Sequence, residues 1–98
     1  MDDLERTVLY RNAVKKWGLP LQLGMLMEES AELIHATHKV MRNRDKEINT
    51  WRRLADEMAD VEIMIEQIKA VCTDIDLRLA VETNKHDKLL RLQRMIEE

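Results

Sequence analysis

Two acidic groups offer this chain its clearest chemistry: Glu28, Glu29 and Glu32, and later Glu57 and Asp60. In each group two carboxylates stand three residues apart, Glu29 with Glu32 and Glu57 with Asp60, and on a helix that spacing places both on one face. Like charges held so close repel unless solvent or a cation lies between them. With no Cys or His among the best-placed groups, the donors are all oxygen. That set suits a hard cation, Mg²⁺ or Mn²⁺, better than zinc. Glu29, Glu32, Glu57 and Asp60 are therefore the candidate metal ligands.

Helices must position them. The chain has 98 residues, 45% of them hydrophobic, which suffices for one domain over 1–98 with a single core. Phe is absent, Gly occurs twice and Pro once, and the good helix formers dominate, so the expected fold is all-α. Apolar spacing predicts a first helix from about Asp3 to Trp17, with Tyr10, Ala13, Val14 and Trp17 inward and Gly18-Leu19-Pro20 ending it. A second helix is predicted from about Leu21 to Met41, its core stripe being Leu23, Leu26, Met27, Ser30, Leu33, Ile34, Thr37 and Met41. The run Arg42-Asn43-Arg44-Asp45-Lys46-Glu47 has no apolar side and reads as a solvated connection, with Asn49 or Thr50 as the next cap. A third helix then covers about Trp51 to Val71. After a break at Thr73-Asp74-Ile75-Asp76, a fourth covers roughly Leu77 to Ile96.

Helical bearings rank the acids. At 100° per residue from Leu26, the second helix's core stripe spans roughly -40° to +100°, while Glu29 falls at about -60°, Glu32 at about -120° and Glu28 at about -160°. Glu29 borders the core and Glu28 faces away. From Val61, the apolar residues Leu54, Met58, Met64, Ile65, Ile68 and Cys72 lie within about 60°, and Glu57, at about -40°, is inside that arc; Asp60 lies near -100°. A carboxylate among apolar neighbours costs several kcal/mol unless it is protonated, paired or metal-bound. Glu32 is roughly 14 Å from the end of its helix and Glu57 roughly 10 Å from the start of the next, so an antiparallel hairpin brings the pairs to similar height. On the fourth helix, Lys88, Asn84 and Arg91 share the face of Leu77, Val81, Leu92 and Met95, placed to bind phosphate oxygens.

Other classes fit less well. A net charge of -3, with 36% charged residues, gives no basic field for a nucleic-acid polymer. There is no apolar run of about eighteen residues and no basic leader, so neither a membrane nor a secretory route is expected. The lone Cys72 reads as a buried small hydrophobe in a reducing, cytoplasmic setting. Trp17 and Trp51 read as core residues, and His35 and His38 as surface ones. Glu32-Leu33-Ile34-His35 is an ExxH motif, but a di-iron carboxylate bundle needs a second, and neither His38 nor His86 has a Glu three residues before it. A non-catalytic helical module, with Glu57 in an ion pair to Lys88 or an Arg, is the other alternative.

The ordered set Glu28-Glu29-x-x-Glu32, a gap of 24 residues, Glu57-x-x-Asp60 resembles the EExxE…ExxD signature of MazG-type nucleotide pyrophosphohydrolases, a family of the all-α NTP pyrophosphatase superfamily. Trp17-Gly18-Leu19, Asp60-Val61 and Asn84-x-x-x-Lys88-x-x-Arg91 extend the likeness over almost the whole chain. The resemblance implies a four-helix unit that hydrolyses a nucleoside triphosphate, a dNTP by analogy, to monophosphate and pyrophosphate with Mg²⁺. It makes Glu29, Glu32, Glu57 and Asp60 the metal ligands, Glu28 an outer or surface member, and Lys88, Asn84 and Arg91 the phosphate-binding groups. It also implies pairing of units. Ala55, Ala59, Ile63 and Ala70, opposite the third helix's main stripe, independently point to a homodimer or a dimer of dimers.

Overall fold

The computed structural model describes residues 1–42 and 48–98, and it contains four helices and no strand among them. The first, α1, is Asp3–Trp17; α2 is Leu19–Arg42; α3 is Ile48–Val71; α4 is Leu77–Glu97. Local chemistry sets their ends. The Asp2 carboxylate accepts from the Glu5 N–H at 2.8 Å and caps α1. Gly18, at φ +87°, turns the chain while its N–H donates to the Val14 carbonyl at 2.7 Å. The second helix starts two residues earlier than its apolar spacing predicts, because Pro20 sits in the first turn, where its missing N–H costs nothing. Asp76 caps α4 by accepting from the Leu79 N–H at 3.1 Å. Asn49 and Thr50 lie within α3, so neither is its cap. Most of the solvated connection expected over Arg42 to Glu47, residues 43 to 47, lies outside the described residues, and Arg42 itself closes α2.

The organising unit is the pairing of α2 with α3, the most extensive packing in the chain, with α1 laid on α3 and against α2. The pair is antiparallel: Glu29 meets Asp60, while Ala36, two turns further along α2, shares a small cavity with Arg53 from an earlier turn of α3. Tyr10, Ala36, Val61 and Ile68 form the buried apolar core. Tyr10 is also tied by its hydroxyl, which donates to Glu66 at 2.5 Å. No helix of the described residues is long and apolar enough to cross a membrane.

Two predicted faces are displaced, and two tryptophans change place. On α2 the covered face comprises Leu19, Gln22, Met25, Leu26, Glu29, Ser30, Leu33, Ala36 and Val40. It is centred about 30° to the Glu29 side of Leu26. Met27, Ile34 and Met41, predicted inward, are 73%, 71% and 72% exposed. The reason is that α2 is apolar over a wider arc than its own chain covers, and a mean apolar direction averages the covered and uncovered parts. Only the start of α4 packs on this chain: Leu77, Ala80 and Val81 are half-buried, every residue from Glu82 to Glu98 is exposed, and Leu92 and Met95 are not core. Trp17 and Trp51 are exposed rather than core, and Cys72 is half-buried. His35 and His38 are on the surface as expected.

Candidate metal centre

Because Glu29 lies on the covered face of α2 and Glu57 is buried on α3, the packing of these two helices brings the two carboxylates together. Glu29, Glu57 and Asp60 each contribute an oxygen to a group whose atoms all lie within 4.8 Å of one another. Glu57 is 2% exposed. Its Oε1 accepts from Arg53 Nε at 2.9 Å, one helical turn back, and its Oε2 is buried with no hydrogen-bond partner. Glu29 Oε2 is likewise buried and unpartnered.

Buried carboxylate oxygens are strong acceptors, and leaving one without a donor costs its desolvation energy, on the order of 1–3 kcal/mol or more for a charged group. Two carboxylates that each carry such an oxygen, brought together with Asp60, make a locus of concentrated negative potential. Glu29 registers it: its pKa is raised, first by burial and then by the charges of Asp60, Glu32, Glu57 and Glu28, in that order. All-oxygen donors on two rigid helices fit a hard divalent cation, which would satisfy both orphaned oxygens at once.

The remaining predicted residues are placed differently. Glu32 stands one turn along α2 from Glu29, exposed, in a small cavity with His35, Ala36, Lys39 and Arg53, and it is not in the three-carboxylate group. Its charge nonetheless acts on Glu29. Glu28 is exposed, as its bearing implied. Asn84, Lys88 and Arg91 line a shallow depression with Asp87 and Arg94, made by α4 alone. Among the described residues α4 packs on α3 and does not reach α2, so these groups are not brought to the carboxylates within one chain.

Arg53 is the residue that sequence reasoning overlooked. An Arg four residues before a carboxylate is a plain helical ion-pair signal. Its weight comes from the burial of Glu57, which only the fold displays.

Comparison with protein-family models, with curated proteins and with solved structures finds no match to this chain.

Proposed function

We propose that this chain is a Mg²⁺-dependent nucleoside triphosphate pyrophosphohydrolase, cleaving a (d)NTP to the monophosphate and pyrophosphate in nucleotide-pool housecleaning. The observation that carries the proposal is the convergence of Glu29, Glu57 and Asp60, two of which hold a buried oxygen with no hydrogen-bond partner. The order of acids that resembles the MazG-type signature adds the reaction class. Glu29, Glu57 and Asp60 would hold Mg²⁺, with Mn²⁺ as a substitute, and Glu32 would join from the next turn of α2. When bound, the ion neutralises triphosphate charge and activates water as a nucleophile. The carboxylate oxygens not engaged with it orient that water or take its proton. Lys88, with Asn84 and Arg91, would bind phosphates across a subunit boundary, since α4 of the same chain does not touch α2. We therefore include self-association, as a homodimer or a dimer of dimers, in this reading.

Pyrophosphate release from a panel of canonical and modified dNTPs, with and without Mg²⁺, tests the reading. Release should require the metal and vanish in Glu57→Gln. A metal-independent or Glu57-independent release would count against it.

One observation favours a non-catalytic helical module instead: Arg53 and Glu57 do form an ion pair. That pairing engages one oxygen of Glu57, however, and leaves its other oxygen and Glu29 Oε2 unexplained. Thermal melting with Mg²⁺ separates the two, because the module predicts no shift.

A further inference from the structure

We infer that Arg53 is the positioning residue of the metal centre, holding Glu57 so that its Oε2 faces Glu29 and Asp60. This inference rests on the metal-site reading above.

Glu57 has a flexible side chain with two equivalent oxygens, and nothing in its own chemistry decides which of them faces the other carboxylates. Arg53 decides it. Its Nε donates to Oε1 at 2.9 Å from one turn back on α3, a contact that ties one oxygen to the same rigid helix. The guanidinium engages that oxygen through Nε, and Arg53 also lines a small cavity with Glu32, His35, Ala36 and Lys39, none of which belongs to the three-carboxylate group. Oε2 is left buried and unpartnered, as a metal ligand must be before its ion arrives. Arg53 also compensates the charge of a 2% exposed carboxylate in the absence of metal, a role its own exposed guanidinium fills while remaining hydrated. A lysine would lack the planar, directional donor that fixes the oxygen's orientation. Donors that hold a ligand from behind tune metal affinity by about 10- to 100-fold.

The test is Mn²⁺ binding to the full chain, read by titration calorimetry and by electron paramagnetic resonance of free Mn²⁺, with no substrate present. Arg53→Met should weaken binding by about tenfold or more, and Arg53→Lys should fall between it and the wild type. The Mn²⁺-induced rise in melting temperature should shrink in the same order, which loss of a merely structural ion pair would not produce. Arg53→Met binding Mn²⁺ as tightly as the wild type, or more tightly, overturns the inference. Should Arg53→Met not fold, Arg53→Lys decides: wild-type affinity there overturns the inference, and weakened affinity supports it. Absence of Mn²⁺ binding by the wild type brings down the metal reading and this inference together, whereas intact wild-type binding with an indifferent Arg53 removes this inference alone.

Discussion

Glu29 of α2 and Glu57 of α3 each have a buried Oε2 with no hydrogen-bond donor, and the two carboxylates come together with Asp60 across the most extensive helix pairing of the chain. A helix pairing maintained by burial of apolar surface therefore also holds three converging carboxylates. The consequences are measurable with and without an ion.

Mg²⁺ should raise the melting temperature. A ligand that binds only the folded state adds about 2.7 kcal/mol at 100 times its Kd. For a domain of this size each kcal/mol is worth roughly 4–8 °C. A shift of about 10 °C or more at saturating Mg²⁺ is expected in the wild type, and little or none in Glu57→Gln. Differential scanning fluorimetry measures both, and an unresponsive wild type would sink the metal centre.

Without metal, the pH dependence of stability should carry the signature of Glu29. Its folded pKa is raised by burial and by the Asp60, Glu32, Glu57 and Glu28 charges, so the folded state holds this proton more tightly than the unfolded chain. The stability it contributes is full below the ordinary carboxylate range and is lost as pH rises through the raised value. Glu29→Gln should therefore melt higher than the wild type in chelator at neutral pH. The difference should close on acidification, and Mg²⁺ should reverse the order at neutral pH.

Tyr10 should behave as a latch between α1 and α3. Its hydroxyl donates to Glu66, and its pKa is raised by burial, then by that hydrogen bond and the Glu66 charge, with Arg6 opposing. The sign again puts the stability below the unfolded tyrosine's pKa, lost as pH climbs through the raised one. Tyr10→Phe should cost about 1 kcal/mol near neutral pH. It should also flatten the alkaline limb of a stability profile obtained by urea unfolding. An unchanged alkaline limb would show that the latch does not contribute.

The uncovered apolar face of α2 should support self-association. Leu33, Ile34, Thr37, His38 and Met41 line an apolar groove on it, and Met27 continues the same side. Sedimentation of the wild type at micromolar concentration should report a species larger than one chain. Ile34→Lys should lower the mass without loss of helical circular dichroism, since Ile34 contributes nothing to the core of its own chain. A monomeric wild type would remove the oligomer from the proposed function.

Much of this arrangement is legible in the sequence, for identifiable reasons. Gly18 and Asp76 punctuate the helices by local chemistry, and the four helices lie within a few residues of their predicted bounds, although the caps expected for α3, Asn49 or Thr50, fall inside it. The anomaly of Glu57 is also legible, because its bearing falls inside an apolar arc and the structure buries it. Rotation is what the periodicity misjudged. Leu23, Met27, Ile34 and Met41 drew the inferred face of α2 away from Glu29, because apolarity alone does not distinguish a face covered by the same chain from one left uncovered. The same limit applies to Lys88: its bearing on α4 is readable, yet nothing in its own helix says which neighbour that face meets. Arg53 escaped notice because an exposed i, i+4 pair is ordinary until its partner is known to be buried.

The hairpin of α2 and α3 carries one last implication, for the order in which the molecule acquires its properties. All three converging carboxylates belong to two consecutive helices, so the centre needs only a nearby loop closure and none of the more distant docking of α1 or α4. The three carboxylates are therefore brought together by the pairing of α2 with α3 alone. A divalent ion bound there would stabilise that pairing of α2 with α3 itself, with no ligand drawn from α1 or α4.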